Sequence, residues 1–185
     1  GGKTMHLLAQ GAHVTALDRS ATRLKKLREN IERVGLTANI SLETADSAVW
    51  HPKDPAEYIL LDAPCSATGT ARRHPDMLHL KTPKDVSSLA ATQERLLDNA
   101  AAMLAVGGIL VYCTCSLQKD EGERQVEKFL SKHGAMRRLP ITALETGNID
   151  GLITPDGDVR ALPFHLAAHG GMDGFYIARL QKTAA

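Results

Sequence analysis

No run of apolar residues in this chain is long enough to span a bilayer, and no secretory signal pattern stands at its start. No membrane association is expected. Cysteine is scarce: three residues, an odd count, without the spacing of a disulfide framework. That excludes a small disulfide-stapled scaffold and points to a reducing, cytoplasmic setting. An excess of one charge is also lacking. Lys and Arg number 22 and Asp and Glu 21, a formal net charge of +1. The balance by itself does not announce a nucleic-acid binder. There is no internal repeat and no low-complexity segment, so a repeat array is not expected. What remains, at 185 residues, is one domain by length with room for a real core.

Two apolar runs organise the rest. Tyr58-Ile59-Leu60-Leu61 closes in Asp62-Ala63-Pro64-Cys65-Ser66-Ala67-Thr68-Gly69. Further on, Ile109-Leu110-Val111-Tyr112 follows a glycine pair and closes in Cys113-Thr114-Cys115-Ser116. Short apolar runs ended by turn residues read as buried parallel strands. Ligands gather where the carboxyl ends of such strands meet their loops. An acid and two thiols would then stand at neighbouring strand ends.

The chain opens on Gly1-Gly2-Lys3-Thr4 ahead of a helical pattern, a loop that lets a ligand approach backbone at a helix N-terminus. The upstream half of a Walker A motif is not present. A strand is expected over 13–17, ended by Asp18. An acid there can accept from a ribose diol; the plainer alternative is a helix N-cap, for which Ser20 is also available. Leu24, Leu27, Ile31 and Val34 give a helix over 20–34, closed by Gly35. A strand over 39–43 leads to Asp46, which could bond an exocyclic amine or serve only as a turn aspartate. A loop is expected over 72–83, where Arg72-Arg73-His74 is a candidate for phosphate contacts. A helix over 85–105 should end at Gly107-Gly108, and another should run over 120–133, with Glu121 and Glu123 suiting its first turn. Residues 141–158 read as irregular, 159–165 and 175–180 as an antiparallel hairpin at a sheet edge. The alternation of strands and helices gives an α/β sheet of doubly wound type.

The thiols have several readings. A zinc site would need third and fourth ligands at recognisable spacing. A Cys65–Cys115 disulfide is geometrically conceivable but does not suit a reducing compartment. Inert buried thiols are the plain alternative, and Cys113, inside its strand, fits it. Cys115, at the strand end, could be a nucleophilic thiolate.

Taken together, Gly1-Gly2-Lys3-Thr4, Asp18, the Asp62-to-Gly69 run, Thr114-Cys115-Ser116 and the tail Gly171-Met172-Asp173-Gly174-Phe175-Tyr176-Ile177-Ala178-Arg179-Leu180 resemble the Nop/Sun family of RNA cytosine-C5 methyltransferases. The bacterial ribosomal-RNA branch, RsmB-like and also called Sun or Fmu, is the nearest. The resemblance implies a Rossmann-like class I methyltransferase fold, S-adenosylmethionine as methyl donor with no metal, and RNA, small-subunit ribosomal RNA in particular, as the partner. It implies that Cys115 adds to C6 of a cytosine and that Cys65 helps release the product. Addition is easier if N3 is protonated or hydrogen-bonded, and Asp62 is the nearest acid for that. The resemblance also implies that Gly1, Gly2, Lys3, Asp18, Arg23, Asp46 and Asp62 line the donor pocket, Asp18 at the ribose and Asp46 at the adenine edge. Ala67 stands where the family commonly has Gly. The family's first strand and its N-terminal RNA-binding region are not in the sequence, so 1–185 is expected to be a catalytic domain incomplete at its N-terminal side, within a longer protein. A monomer is expected.

Overall fold

A computed structural model describes residues 1–184 of the chain and, at residue 78, the backbone only. It divides into two compact units, Gly1–His51 and a second beginning at Pro52. Each is an α/β assembly.

The first unit runs α1 (Gly2–Ala9), β1 (Val14–Asp18), α2 (Ala21–Arg33), β2 (Ile40–Thr44). β1 and β2 pair in parallel, from Val14↔Ile40 to Asp18↔Thr44. The connecting helix begins where the Ser20 hydroxyl accepts the Arg23 N–H at 3.3 Å. Ser20 is thus the N-cap, and Asp18 remains a strand-end acid. Leu24, Leu27 and Ile31 recur at helical spacing and bury one stripe of α2 with Leu8 of α1.

The second unit runs β3 (Ala56–Asp62), α3 (Met77–Leu80), α4 (Pro83–Met103), β4 (Leu104–Thr114), α5 (Glu123–Lys132), β5 (Met136–Arg138), β6 (Val159–Ala161) and β7 (Phe175–Lys182). Its sheet has the order β3-β4-β7-β5, with β6 also on β7. β3 and β4 are parallel, joined through α4; β7 runs antiparallel to β4, β5 and β6. The expected hairpin is β6 with β7, and β7 also pairs on its other side with the central strand β4.

α4 starts two residues earlier than the pattern of apolar residues suggests. Thr82 and Asp85 form a reciprocal capping box, with Pro83 in the first turn. The helix ends at Met103 and β4 follows at once. Gly107-Gly108 therefore does not close the helix. It lies inside β4, where pairing with β3 shifts between Ala56 and Tyr58 and Gly107 takes φ +84°. That is a bulge position, which uses glycine for the same reason a helix end does. Three further expectations change. The 72–83 loop holds the short helix α3, the strand expected over 159–165 stops at Ala161, and α5 begins at Glu123 after a 3₁₀ turn over Lys119–Glu121. Strand β5 was not foreseen: three residues, two of them arginine, carry no readable period.

The core of this unit lies on one face of the sheet. Leu110 and Tyr112 of β4 and Ala178 and Leu180 of β7 meet Leu97 and Ala100 of α4 and Val126 and Phe129 of α5. Alternation along β4 turns Cys113 to the face opposite Tyr112. Leu97 is fully buried in this cluster. Leu97→Ala should lower unfolding stability by about 2–5 kcal/mol, read as a shifted urea midpoint at unchanged slope.

Candidate active site

β3 and β4 end side by side. Asp62 is the register partner of Cys113, and the Ala63 N–H donates to the Cys113 carbonyl at 3.0 Å. From there the two chains leave the same edge of the sheet as neighbouring loops. Their cysteines meet: Cys65 Sγ and Cys115 Sγ are 3.4 Å apart, both partly buried and neither in a disulfide. Cys113 is buried, as its place inside the strand predicts, and its thiol lies 3.6 Å from Asp62 Oδ1.

A third segment closes on these loops. Gly69 donates its N–H to the Cys115 carbonyl at 2.9 Å, and its own carbonyl accepts the Gly174 N–H at 2.8 Å. A Cβ on Gly69 would stand 2.1 Å from the Gly174 oxygen and 2.8 Å from the Cys115 oxygen. Backbone cannot swing aside as a side chain can, so only glycine fits. Two residues before it, Ala67 takes φ +59°, ψ +20°, the left-handed region that a Cβ disfavours. This is the position where the resembled family commonly has glycine, and the conformation supplies the reason.

Under the thiols lies a buried polar cluster. The Glu121 side chain is fully buried. Its carboxylate accepts the Ser66 N–H at 2.9 Å, the Ser66 hydroxyl at 2.5 Å, the Ser116 hydroxyl at 2.6 Å and a Gln93 amide N–H at 3.1 Å. Its backbone carbonyl accepts the Tyr112 and Thr114 hydroxyls at 2.9 and 3.2 Å. Arg160 donates to the Ser116 carbonyl at 2.8 Å, pairs with Glu123 and lies 4.7 Å over the Tyr176 ring. Sequence reading passed over Glu121, taking it for a helix-terminal acid. A signal was present: each candidate cysteine is followed directly by serine.

The Cys65 thiol is pushed well above its ordinary range, first by its hydrogen bond to Cys115, then by burial, then by the charge at Cys115. Cys65 holds a proton that Cys115 shares. Nearby, Arg73 donates to Asp173 at 2.8 Å and Arg72 lies 3.5 Å from the other carboxylate oxygen. The Arg73 hydrogen bond holds the Asp173 carboxyl below the usual range.

The remaining predicted residues, Gly1, Gly2, Lys3, Asp18, Arg23 and Asp46, belong to the first unit. Gly1 caps α1, and Gly2 and Lys3 open it. Asp18 ends β1 and Asp46 lies just beyond β2, both at the carboxyl end of the parallel pair. Asp18 Oδ1 accepts the Ser20 N–H at 2.8 Å and faces the Arg23 guanidinium at 3.1 Å, which ties Arg23 to that corner. Asp46 Oδ1 accepts the Ala48 N–H at 3.0 Å, an Asx turn. Among the described residues, no group of three or more His, Cys, Asp or Glu is placed to hold a metal ion.

Parallel strands with crossover helices, an antiparallel β7 and acids at the strand ends define a Rossmann-like class I methyltransferase fold. The crystal structure of NSun6 from Pyrococcus horikoshii with SFG superposes with a TM-score of 0.83 at 30% identity, covering 100% of this chain and 46% of that one. The chain belongs to the RsmB/F family: the family model described as 16S rRNA methyltransferase RsmB/F matches residues 1–181. Ribosomal RNA small subunit methyltransferase B of Pseudomonas syringae pv. tomato is 44% identical over 189 residues, covering 100% of this chain and 41% of the relative. The protein of the same name from Pseudomonas putida has the same identity and coverage. The chain thus spans about two fifths of the length of the curated relatives it matches.

Two glycine-related substitutions in one loop should act in opposite directions. Ala67→Gly relieves a left-handed Cβ and should stabilise by up to ~1 kcal/mol after the entropy of the unfolded chain is counted. Gly69→Ala meets backbone and should destabilise by about 1–3 kcal/mol. Thermal melts of the two variants beside the parent check both signs.

Proposed function

We propose that this chain is the catalytic part of an S-adenosylmethionine-dependent RNA methyltransferase that modifies C5 of a cytosine in small-subunit ribosomal RNA. The observation that carries the reading is the pair of reduced thiols, Cys65 and Cys115, in hydrogen-bond contact at the ends of neighbouring parallel strands. Family membership and the names of the relatives support the ribosomal RNA substrate. The relative described with SFG supports an S-adenosylmethionine-type donor.

The donor supplies an electrophilic methyl group on a sulfonium; the rest falls to the protein. C5 of cytosine is a weak nucleophile. The Cys115 thiolate adds its electron pair to C6, and the ring electrons displaced toward C5 make that carbon enamine-like. Asp62, at the end of β3, meets N3 and favours the addition by sharing a proton with the ring. C5 then takes the methyl group, and the sulfonium leaves as a neutral thioether. The C5 proton passes to water, its electron pair enters the C5–C6 bond, the C6–S bond breaks, and Cys115 departs as thiolate. Cys65, the partner that retains its proton at rest, assists this elimination by donating its S–H to the departing sulfur. The target base has to leave its stack to reach the thiols, so an unpaired or flipped nucleotide is the substrate form.

We assign Gly1, Gly2, Lys3, Asp18, Arg23 and Asp46 of the first unit to the donor. Asp18 and Asp46 each commit Oδ1 to a local turn or ion pair, and their Oδ2 atoms are the acceptors offered to the ribose and the adenine amine. Arg72 and Arg73, two exposed cations on one carboxylate, leave positive charge for RNA phosphate beside the thiols.

Two experiments test the reading. In a protein of the relatives' length carrying this chain, Cys65→Ala should trap a covalent adduct with cytosine-containing ribosomal RNA in the presence of donor, seen as a shifted band on a denaturing gel. Adding Cys115→Ala should abolish the band. An unshifted Cys65→Ala protein that still binds the RNA would instead fit a binding module without turnover. Separately, limiting iodoacetamide at neutral pH should label Cys115 before Cys65, because the raised Cys65 proton keeps that sulfur protonated. Peptide mapping reads the order.

A further inference from the structure

We propose that Glu121 is the positioning residue that sets the distance between the two reacting sulfurs. Cys65 and Cys115 sit on different loops, and the regular structure beside them is limited to 3₁₀ turns at Thr68–Thr70 and Lys119–Glu121. The residue after each cysteine is a serine, and both serines are fully buried. Both hydroxyls end on the same Glu121 oxygen, Oε2, at 2.5 and 2.6 Å, and they lie 3.0 Å from each other. The other oxygen, Oε1, takes the Ser66 N–H and the Gln93 amide. Gln93 also donates to the Pro64 carbonyl at 2.8 Å, on the residue before Cys65. One carboxylate therefore holds both sides of Cys65 and the C-terminal side of Cys115.

The carboxylate is itself anchored. The Glu121 carbonyl receives the hydroxyls of Tyr112 and Thr114, which belong to the strand that delivers Cys115. A buried carboxylate is tolerable only with its acceptor sites filled, and filling them forces the two serines together. The cysteines, one bond along each chain, are carried to 3.4 Å as a consequence. Thr68 adds two further ties between the loops, to the Ser116 hydroxyl at 3.4 Å and to the Leu117 N–H at 3.0 Å.

This inference rests on Cys65 and Cys115 being the reacting pair, but its test reads sulfur spacing without turnover, so the two can fail separately. In glutathione buffers of varied ratio, the two thiols pass two electrons and two protons to glutathione disulfide, giving the Cys65–Cys115 disulfide and two glutathione thiols. The equilibrium constant is the effective concentration of one sulfur at the other. Glu121→Gln keeps the size and shape of the side chain but presents an N–H₂ where an acceptor is required, and should lower that effective concentration about fivefold or more. Leu180→Ala, a core truncation at the far end of β7, should lower the melting temperature at least as much yet leave the effective concentration within about twofold. A fall below about fivefold for Glu121→Gln, or an equal fall for Leu180→Ala, overturns the proposal. Should Glu121→Gln not fold, Ser66→Ala and Ser116→Ala each remove one tether; a fall in both sustains the proposal, and an unchanged value in both overturns it.

Discussion

The pairing of β3 with β4 constrains everything else in the second unit. Five consecutive registers, Tyr58↔Ile109 through Asp62↔Cys113, bring two apolar runs into one parallel ladder. Side chains alternate across a sheet, so a slip of one residue would carry Leu110 and Tyr112 out of the core and Cys113 into it. Burial of Leu110 and Tyr112 against α4 and α5 therefore fixes the register. With the register fixed, both strands end at one level and their loops must emerge together. β7 completes the arrangement from the other side of β4. It enters through Gly174, which reaches across to Gly69. Hydrophobic burial on one face thus decides which polar residues meet at the edge.

How much of this could be read beforehand depends on how local each cause is. β3, α2 and the part of β4 from Ile109 onward were legible because their apolar residues run through the segment. The start of α4 was off by one capping box, since Thr82 and Asp85 act before the apolar period begins. Gly107-Gly108 misled for a physical reason: positive φ serves helix ends and strand bulges alike, and the residues alone do not say which. β5 exists because β7 offers it an edge, a tertiary cause with no trace in Met136-Arg137-Arg138. At the site, the cysteines and Asp62 stood out through their spacing in a known pattern. Glu121 did not. Its partners lie 55 residues away at Ser66 and 28 away at Gln93. Glu121 and Glu123 look equivalent in sequence, yet one is sealed beneath the loops while the other pairs with Arg160.

The site rests on polar ground where a core would ordinarily be apolar. Ser66, Thr68, Gln93, Thr114, Ser116 and Glu121 are all buried. An apolar filling would pack as tightly but would not specify one arrangement of two irregular loops, because hydrophobic contact has no direction. Hydrogen bonds do, and a network with every member satisfied has few alternatives of similar energy. The left-handed Ala67 fits this view. It lies between Ser66, pinned by Glu121, and Gly69, pinned by Cys115 and Gly174, so its strained backbone has no freedom to relax.

The contact between the sulfurs then has a chemical consequence. Two thiolates in van der Waals contact would repel strongly, so the pair resists losing both protons. The proton stays on Cys65, which lies against Cys115 and is desolvated. Charge left on Cys115 is not isolated. The Arg73 guanidinium, whose positive form is favoured first by its bond to Asp173, also feels that charge. Contact with Cys115 first and burial second hold the proton on Cys65, and the proposed mechanism, with one sulfur to attack and another to help it leave, needs a proton held there before the substrate arrives.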